Sequence, residues 1–551
     1  MAGSWNLADL FEAVVDRVGA REAVVAGASR LTYAALDERA NRAAHLLAAH
    51  GVGPGDRVGL ALRNGHEHLA ALLGAYKLRA VPFNVNYRYT AAEMTYLLRD
   101  ARPRVVLHGP DLGPAVAPAV AALRAEGDQI TPLVGRGAVH EEHLRAAAST
   151  RPVVADRSGD DRYLLYTGGT TGMPKGVEWR HEDIVFAALG AASAAALLGG
   201  SPIEVPRSPG EVVDRVVVGG TRTVPASPLI HGTAQWVTLA TLLGGGTVLI
   251  LPSSTFVPAD LWDLVAEEAA TLVVIVGDAF ARPLADALNA EPQRWDLGSL
   301  VAVVSGGAVL SPAVRTELAV HLPWVAVVDG YGTSETGGQG NAVTWPGQPA
   351  ARTTRFPLAD HTAVLDDEGS PLVPGIDIGR IGRIARRGHI PLGYRNDPER
   401  TAHTFPVIDG VRWAVPGDLG RIEADGAVTL LGRGASSINT GGEKVFPDEV
   451  EAVLKAHPSV FDAAVVGVPD DRWGERVVAV IAHRPRIPAA DEELNAHCRA
   501  HLAAFKVPRR TIAVDAVRRL PSGKTDHAWV RAVARAGVAP GLRSPAAVDG
   551  T

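Results

Sequence analysis

The chain has 551 residues, which is too long for a single hydrophobic core and indicates two or three packed units. Hydrophobic residues make up 47% of the sequence and charged residues 21%, as in ordinary globular proteins. The formal net charge of -6, without a long run of lysine and arginine, argues against nucleic acid as the principal partner.

The sequence also bears on the cellular compartment. Its single cysteine, Cys498, excludes an internal disulfide and a cysteine-based zinc site, and it fits a reducing cytoplasm best. The N-terminal segment MAGSWNLADLFEAVVDRVG carries Asp9, Glu12 and Asp16 within an apolar periodicity, which predicts an amphipathic helix and no signal peptide. No apolar run approaches the ~18 residues of a membrane span. We therefore expect a cytoplasmic protein without a transmembrane segment.

Helical and strand patterns alternate between Leu7 and Leu107. The patterns predict a helix, a strand, a helix and a strand at Leu36–His50, Arg57–Leu62, His68–Leu78 and Ala80–Val85. Strands that alternate with helices of this length are typical of βαβ units, so we expect an α/β fold with a parallel sheet. The Ala/Pro-rich sequence that begins at Asp111 gives no clear prediction.

The segment Tyr166–Val177, YTGGTTGMPKGV, predicts a phosphate-binding loop at the end of a strand formed by Tyr163–Tyr166. Glycines allow a sharp turn close to an anion, threonines add hydroxyl donors and a lysine adds a mobile cation. The residues concerned are Thr167, Gly168, Gly169, Thr170, Thr171, Gly172 and Lys175. The order differs from the common P-loop, because Lys175 precedes Gly176. A Gly/Thr-rich surface turn is the alternative interpretation.

The stretch TGGTTGMPKG closely resembles the ATP loop of the adenylate-forming superfamily, which includes acyl-CoA synthetases, adenylation domains of nonribosomal peptide synthetases and luciferases. Gly168 stands where that family usually has serine, so one hydroxyl contact to phosphate is lost. The resemblance implies that ATP is a substrate and that Mg²⁺ accompanies it. It also implies a large N-terminal region of stacked α/β subdomains with a β-barrel-like part, and a small mobile α+β C-terminal domain.

The segment Pro225–Trp236, PASPLIHGTAQW, places His231 after an apolar, strand-like run. A structural histidine is one interpretation. The resemblance implies instead that the segment borders an acyl pocket, with His231 near the substrate carboxylate and Trp236 as a pocket wall. Amino-acid-activating relatives carry an aspartate near the start of this segment, whereas Ala226–Pro228 is uncharged here. The segment therefore argues against an amino-acid substrate.

Two further motifs follow strands. The run Val301–Leu310, VAVVSGGAVL, predicts a strand that breaks at two glycines, and the resemblance implies that adenine packs on this turn, at Gly306, Gly307 and Ala308. The segment Asp329–Gly338, DGYGTSETGG, follows a predicted strand at Trp324–Val328 and matches the family's Tyr-Gly-x-Thr-Glu signature.

The resemblance implies a role for most residues of this signature. Asp329 accepts a hydrogen bond from the adenine amino group, Tyr331 stacks on the ring, and Glu335 holds Mg²⁺, a cation that prefers oxygen ligands. The other positions assigned to ATP or AMP are Gly330, Gly332, Thr333 and Ser334. Gly332 and Gly338 are also assigned to the acyl pocket.

The segment Trp413–Arg433 contains Asp425-Gly426 between two alternating apolar runs, which predicts a hairpin. By itself Asp418 is an ordinary turn aspartate. The resemblance implies that Asp418 accepts both ribose hydroxyls, a bidentate task that suits a carboxylate, and that Arg433 contacts ribose or phosphate.

Composition and pattern change after Arg433, and a helix start is predicted at Pro447-Asp448. We expect an N-terminal ATP- and acyl-binding domain at 1–433, a hinge at 434–437, a mobile C-terminal domain at 438–535 and a flexible tail at 536–551. Ser436 stands where many members of the family have a hinge aspartate or lysine.

The resemblance assigns the remaining roles to the C-terminal domain. Gly441, Gly442 and Glu443 face coenzyme A, and Lys524 in LPSGKTDH is the catalytic lysine that spans the carboxylate and the α-phosphate. The SGKT fragment is not a Walker loop, because Arg518 occupies the place of its first glycine.

Together the motifs predict an AMP-forming acid–thiol ligase. The segments GGTTGMPKGV-x-WRHED and INTGGEKVFP are similar to those of synthetases for fatty acids and for steroid-like or terpenoid acids, so we expect a hydrophobic, fatty or polycyclic, acyl group. Three alternatives stay open: delivery of the acyl group to a carrier-protein thiol, a luciferase-like oxidase, and a non-catalytic ATP-binding protein. The sequence also leaves open whether the chain forms a homodimer.

Overall fold

The computed structural model describes residues 4–167, 173–190, 206–216, 220–251, 255–348, 355–433, 437–440, 443–470, 474–520 and 524–537. Within these ranges the chain forms sixteen α-helices and five β-sheets, which confirms the predicted α/β class. The helices are α1 (Leu7–Val18), α2 (Tyr33–Ala49), α3 (His66–Lys77), α4 (Ala91–Ala101), α5 (Gly113–Ala125), α6 (Ala138–Ala146), α7 (His181–Ala187), α8 (Pro209–Asp214), α9 (Gly232–Leu243), α10 (Pro258–Glu267), α11 (Asp278–Ala290), α12 (Pro312–His321), α13 (Pro398–Thr404), α14 (Pro447–Lys455), α15 (Asp491–His501) and α16 (His527–Ala536).

The strands of the first half of the chain are β1 (Glu22–Ala26), β2 (Ser29–Thr32), β3 (Arg57–Ala61), β4 (Val81–Asn84), β5 (Val105–His108), β6 (Thr131–Val134), β7 (Arg162–Thr167), β8 (Lys175–Arg180), β9 (Arg222–Pro225), β10 (Thr247–Ile250) and β11 (Leu272–Ile275). Those of the second half are β12 (Ala302–Gly306), β13 (Ala326–Thr333), β14 (Gly337–Thr344), β15 (Arg355–Phe356), β16 (Thr362–Leu365), β17 (Ile381–Arg387), β18 (Gly393–Tyr394), β19 (Val407–Ile408), β20 (Val411–Ala414), β21 (Asp418–Ile422), β22 (Val428–Arg433), β23 (Ile438–Thr440), β24 (Glu443–Val445), β25 (Val460–Asp470), β26 (Gly474–His483) and β27 (Arg510–Val514).

The N-terminal sheet confirms the predicted βαβ pattern. Strands β4, β3, β5 and β6 lie side by side in that order and all pairs are parallel. Helix α2 begins at Tyr33, three residues before the predicted start, because the Thr32 side chain accepts a hydrogen bond from the Ala35 amide and caps the helix. Helix α4 begins in the same way with a capping box, in which Thr90 and Glu93 satisfy each other's backbone amides.

The largest sheet has eight strands in the order β14-β13-β12-β11-β9-β10-β1-β2. Its central strands are parallel and fully buried, and their sequences, such as LVVI in β11 and TVLI in β10, are continuous apolar runs. The carboxyl ends of β9, β12 and β13 lie at the same edge of this sheet. This edge therefore presents together the three segments that follow those strands.

A three-stranded sheet, β18-β8-β7, connects the predicted phosphate loop to the later part of the chain. Strand β18 pairs with β8, so that Tyr394 lies opposite Val177. The next sheet, of seven strands, contains β15 to β17 and β19 to β22 and is antiparallel, in agreement with the predicted β-barrel-like part. Its β21–β22 hairpin turns at Asp425-Gly426, where Gly426 has φ +79°, as the sequence predicts.

A separate C-terminal domain follows, as expected. Its sheet has the order β24-β23-β26-β25, with β27 parallel to β26, and its helices α14, α15 and α16 bury two apolar clusters, one of which includes Cys498. Helix α14 begins at Pro447, as predicted. The division at 434–437 stays a prediction, because residues 434–436 lie outside the described ranges. The same holds for most of the predicted tail.

The C-terminal domain contacts helices α11 and α12 through charged side chains. Lys455 lies 3.5 Å from Asp278 and close to Glu451 and Asp462 of its own domain. Burial by itself would lower the pKa of Lys455, but these carboxylates hold it above its ordinary value. Arg484 adds a second contact, to two carboxylates on α11 and α12.

Taken one by one, the described helices lack the combination of length and apolar character that a membrane crossing requires.

Helices α1, α2 and α3 are joined by a buried charge cluster. The Lys77 ammonium group is fully buried and contacts Glu12 and Asp37, the latter at 2.7 Å. We expect Lys77→Met to lower the free energy of unfolding by about 2 kcal/mol, less than the ~3–5 kcal/mol typical of a broken buried pair, because Arg151 and Arg157 also contact these carboxylates. Urea unfolding followed by tryptophan fluorescence measures the difference. Arg99→Met, which breaks an exposed pair with Glu126, serves as the control and should leave the curve unchanged.

Candidate active site

The predicted phosphate loop connects the antiparallel strands β7 and β8. Tyr166 lies opposite Gly176, and Thr167 lies opposite Lys175 at the loop end of the hairpin. A side chain at Gly176 would come within 2.9 Å of the Tyr166 ring and of Leu164, so this position requires glycine. The loop residues Gly168, Gly169, Thr170, Thr171 and Gly172 lie outside the described ranges, and their roles stay predictions.

Lys175 and Glu335 meet at the loop end of this hairpin, together with Tyr394. The Tyr394 hydroxyl donates a hydrogen bond to Glu335 Oε1 at 2.7 Å, and Lys175 Nζ lies 3.8 Å from the same oxygen. Lys175 Nζ also lies 3.5 Å from the hydroxyl and 4.8 Å from the centre of the Tyr394 ring. The sequence motifs predicted two members of this cluster but not Tyr394, which belongs to no recognised motif.

Burial and the neighbouring Glu335 carboxylate raise the pKa of Tyr394 above its ordinary value. The hydroxyl therefore keeps its proton at neutral pH and acts as a donor. Glu335 is 5% exposed, so its carboxylate is largely desolvated and is held by a hydrogen bond on one side and a cation on the other.

Glu335 lies in the turn between β13 and β14, and the backbone of this turn is fixed by several hydrogen bonds. The Trp179 indole donates to the Ser334 carbonyl at 3.1 Å, and the Thr333 hydroxyl accepts from the Glu335 amide at 3.2 Å. A side chain at Gly332 would lie 2.2 Å from the Gly337 carbonyl, so the hairpin requires glycine there. The predicted strand Trp324–Val328 was too short, because β13 continues through the first five residues of the motif.

Two residues with predicted adenine contacts have partners within the protein. Asp329 lies 3.4 Å from the buried guanidinium of Arg315. The Tyr331 ring packs against Phe356, with 5.5 Å between ring centres, and joins an apolar cluster of the seven-stranded sheet. These contacts fix the two side chains within β13, on either side of Gly330, and their adenine contacts stay predictions.

Helix α9 brings the predicted acyl-pocket segment to the turn after β12. His231 precedes α9 as its N-cap residue, so the predicted strand directly before His231 is wrong: β9 ends at Pro225, and a turn follows. Gly307 has φ +86°, and a side chain there would lie 3.3 Å from the Thr233 hydroxyl. The turn of Gly306, Gly307 and Ala308 therefore faces the first turn of α9.

Trp236 lies one helical turn further along α9. Its indole nitrogen donates to the Tyr163 hydroxyl at 3.0 Å, and that hydroxyl in turn donates to Gln235. The indole ring is half-buried and its position is fixed by these bonds, as a pocket wall requires.

Directly after the turn, the start of β14 is held by Arg386, which no sequence motif predicted. Its guanidinium donates to the Gly338 carbonyl, and burial lowers the pKa of Arg386 to about 10. On the opposite side, a side chain at Gly337 would lie 2.4 Å from the Ala187 carbonyl at the end of α7. The predicted acyl-pocket position Gly338 is thus packed between two other parts of the N-terminal region.

Asp418 and Arg433 lie opposite each other in the β21–β22 pair. Asp418 is buried, and its charge adds to the burial and the Glu451 carboxylate that raise the pKa of Asp448 on α14 to about 6. Asp418 therefore lies where the seven-stranded sheet meets the C-terminal domain. The side chain of Arg433 lies outside what the structure describes, so its predicted contact is untested.

Two of the predicted residues of the C-terminal domain, Lys524 and Glu443, lie within the described ranges. Lys524 is exposed in a turn before α16, where its carbonyl accepts from the Leu520 amide at 2.7 Å and its neighbour Thr525 pairs with Arg519. Glu443 is exposed at the start of β24. Gly441 and Gly442 lie outside the described ranges. The structure thus joins Lys175 to Glu335 directly, while Lys524 and Glu443 belong to the other domain.

The donor set at Glu335 fits a magnesium ion that arrives with phosphate. Among the described residues no group of three or more histidine, cysteine, aspartate and glutamate side chains is arranged to hold a metal. Mg²⁺ needs no such group, since proteins usually hold it with one or two carboxylates while substrate phosphates and water supply the other oxygens. The buried Glu335 carboxylate beside Lys175 meets that description.

Comparison with known proteins defines the class. A family model described as AMP-binding enzyme matches residues 11–393, and a model described as AMP-binding enzyme C-terminal domain matches residues 449–524. The chain belongs to the AMP-binding enzyme family, as the motifs predict.

Individual relatives are similar over almost their whole length. The chain is 40% identical to a 3-oxocholest-4-en-26-oate–CoA ligase of Rhodococcus rhodochrous, covering 96% of this chain and 95% of the relative. It is 41% identical to a medium/long-chain-fatty-acid–CoA/3-oxocholest-4-en-26-oate–CoA ligase of Mycolicibacterium smegmatis, covering 96% of each.

Solved structures show the same fold. ATP-bound MatB from Rhodopseudomonas palustris superimposes with a TM-score of 0.79 at 28% identity, covering 96% of this chain and 98% of that chain. The anthranilate CoA ligase AuaEII, crystallised with anthranoyl-AMP, gives a TM-score of 0.82 at 23% identity, covering 97% and 98%. The predicted adenylate-forming fold is therefore confirmed.

Tyr394→Phe tests whether the hydroxyl orients Glu335. The ring and its contact with Lys175 remain, but the carboxylate loses its donor. We expect the Mg²⁺ concentration for half-maximal ATP-dependent activity to rise by about 10- to 100-fold, as when the hydrogen-bond partner of a metal ligand is removed. Tyr33→Phe, which removes a buried hydroxyl bonded to the Leu242 and Gly246 carbonyls, is the control and should leave this concentration unchanged. An unchanged Mg²⁺ requirement in Tyr394→Phe would contradict the orienting role.

Proposed function

We propose that this chain activates a hydrophobic carboxylic acid, a steroid-like acid or a medium- or long-chain fatty acid, to acyl-AMP and transfers the acyl group to coenzyme A. The predicted enzyme class, an AMP-forming acid–thiol ligase, is confirmed by the family and by relatives that are named CoA ligases. ATP and CoA are the co-substrates of that class. The acyl group and the roles of individual residues are our proposals.

One observation carries the proposal. Lys175 from the phosphate hairpin and Glu335 from the β13–β14 turn come from different sheets and meet within 3.8 Å. A cation and an anion side by side suit a triphosphate that arrives with a metal: the ammonium group binds phosphate oxygen, and the carboxylate binds the metal. Beside them lie the carboxyl ends of β12 and β13, where a nucleotide binds in open α/β sheets.

The first step makes the acid a better acyl donor. A carboxylate oxygen attacks the α-phosphorus of ATP, the bond from that phosphorus to the bridging oxygen breaks, and pyrophosphate leaves with the electron pair. The nucleophile is already ionised at neutral pH, so no general base is needed. The barrier is the repulsion between anions, and the protein lowers it by position and charge. Lys175 would hold phosphate oxygens, and Lys524 would bridge the attacking carboxylate and the α-phosphate.

The second step uses the mixed anhydride. The sulfur of CoA attacks the acyl carbon, the bond to the AMP oxygen breaks, and AMP leaves. The segment Gly441, Gly442 and Glu443 would face the thiol. Because Lys524 and Glu443 belong to different segments of the C-terminal domain, we infer that a rotation about the hinge exchanges them between the steps.

Magnesium would be held by Glu335, with Tyr394 orienting the carboxylate, and would neutralise charge on the pyrophosphate group. We further propose a cytoplasmic location, in keeping with the single buried cysteine. Delivery to a carrier protein instead of CoA is the competing thiol acceptor.

A hydrophobic substrate is supported by the uncharged, buried start of the acyl segment. Ala226 and Ser227 are buried, and no carboxylate stands there to pair with an α-ammonium group. The two ligases of Rhodococcus and Mycolicibacterium act, by their names, on 3-oxocholest-4-en-26-oate, and the second also acts on medium- and long-chain fatty acids.

Pyrophosphate release over a panel of acids tests the proposal. We expect ATP-dependent release with octanoate, palmitate and 3-oxocholest-4-en-26-oate, little with acetate or amino acids, and a CoA thioester detectable by mass spectrometry. Thioester on a carrier protein but not on CoA would reject CoA as the acceptor. No acid-dependent release with any acid would reject the enzymatic function.

Lys524→Ala separates the two steps. The variant should lose acyl-AMP formation, because the charge that bridges carboxylate and α-phosphate is gone, while it still converts supplied acyl-AMP and CoA to thioester. Pyrophosphate release measures the first step and thioester formation the second. Arg535→Ala removes the same charge from an exposed position on the same domain and should change neither rate. Adenylation at the wild-type rate in Lys524→Ala would refute the assignment.

A further inference from the structure

The side chain of Asn84 joins three separate segments of the N-terminal region. Asn84 is the last residue of β4, at the carboxyl end of the edge strand of the four-stranded sheet, and it is 6% exposed. It lies outside the recognised motifs and outside the cluster of Lys175 and Glu335. A buried side-chain amide has to find partners inside the protein, and those of Asn84 are all backbone groups.

Two of these partners belong to Tyr166. Asn84 Nδ2 donates to the Tyr166 carbonyl at 2.8 Å, and Asn84 Oδ1 accepts from the Tyr166 amide at 2.8 Å. The side chain therefore pairs with Tyr166 as a neighbouring strand would, although β4 and β7 belong to different sheets. Tyr166 directly precedes Thr167 and the predicted phosphate loop.

The third partner is Ile230. The second hydrogen of Asn84 Nδ2 is donated to the Ile230 carbonyl at 2.7 Å. Ile230 directly precedes His231, the N-cap residue of α9, which we placed near the substrate carboxylate. One amide group thus uses three of its four hydrogen-bonding positions to connect the base of the phosphate loop with the base of the acyl segment.

Asn64 holds the same acyl segment from the end of the neighbouring strand β3. Its Oδ1 accepts from the Leu229 amide at 2.7 Å, and its Nδ2 donates to the Ser227 carbonyl at 3.3 Å. Among the described residues, the turn between β9 and α9 has no strand partner, and apart from a bond from Gln235 to the Leu229 carbonyl its side-chain hydrogen bonds to other segments come from these two asparagines. Of the two, Asn84 alone also contacts the base of the phosphate loop.

We propose that Asn84 is a positioning residue for adenylation, which sets the distance between the ATP-binding loop and the segment that holds the acyl carboxylate. This inference rests on the proposed function. Adenylation joins two separately bound substrates, and the carboxylate oxygen must lie in line with the α-phosphorus. Each substrate contacts its own segment, so the spacing of the two segments decides the alignment. A displacement of about 1 Å can cost 10²-fold in such a reaction.

The second half-reaction places no such demand on Asn84. Acyl-AMP is a single covalent molecule that spans both segments, so its own bonds fix the spacing. Loss of the amide should therefore act on adenylation and spare thioester formation from supplied acyl-AMP. A purely structural role would lower both steps together, in proportion to the amount of folded protein.

The experiment uses the full chain with Asn84→Ala. For adenylation we expect kcat of acid-dependent pyrophosphate release to fall by about 100-fold, with KM for ATP and for the acid within about threefold of wild type. Thioester formation from supplied acyl-AMP and CoA should stay within about threefold of wild type. Asn41→Ala is the matched control. Asn41 is buried like Asn84 and donates to a backbone carbonyl at 2.9 Å, but that carbonyl belongs to Ser149, which lies in neither of the two segments. It should leave both steps at the wild-type rate per folded molecule.

Asn64→Ala gives a second measurement if Asn84→Ala does not fold. It loosens only the acyl segment, and we expect the same selective loss, about 10-fold in kcat of adenylation. Equal losses in both half-reactions, or wild-type adenylation in Asn84→Ala, would overturn the positioning role while leaving the proposed function in place. Absence of acid-dependent pyrophosphate release in the wild-type protein would overturn the proposed function and this inference with it.

Discussion

The contact between Lys175 and Glu335 is the interaction on which the site depends. The Glu335 side chain is 7% exposed and that of Lys175 23%, so both charges have lost much of their hydration. A buried ion pair of this kind contributes little to stability, because desolvation offsets the attraction between the charges. The free-energy cost of desolvating the two charges is explained if they bind a ligand. Tyr394 adds a neutral donor that keeps the carboxylate in place without neutralising it.

The two charges come from different sheets, which meet at the site. Lys175 is the first residue of β8, which pairs with the strand of Tyr394, β18. Glu335 comes to the same place from the eight-stranded sheet, in the turn after β13. Side-chain bonds fix the joints between sheets where backbone pairing is absent, as Asn84 does between β4 and β7 and Arg386 does at Gly338. Hydrogen bonds from buried side chains at these contacts favour one relative position of the sheets.

The sequence predicted the parts of this arrangement that are local. Alternating periodicity predicted the βαβ units, and Asp425-Gly426 predicted a hairpin that the structure contains. The resemblance of the motifs to the adenylate-forming family predicted Lys175 and Glu335 for one ATP site, and the structure brings the two side chains within 3.8 Å of each other. Local pattern failed where tertiary contacts override it: the apolar run before His231 is a turn held by asparagine side chains, and β13 extends into its motif because β14 pairs with it.

What the sequence could not predict is the group of residues that position the others. Tyr394, Asn84 and Arg386 act through partners far away in the chain, and nothing in their local sequence distinguishes them from ordinary strand residues. Residues that contact a ligand are constrained by its chemistry and so form motifs. Residues that connect two sheets need only a hydrogen-bond donor at the right place in the fold. An asparagine or tyrosine of this kind becomes visible when its partners are known. The precision of a site assembled from several sheets depends on such residues as much as on the charged groups at its centre.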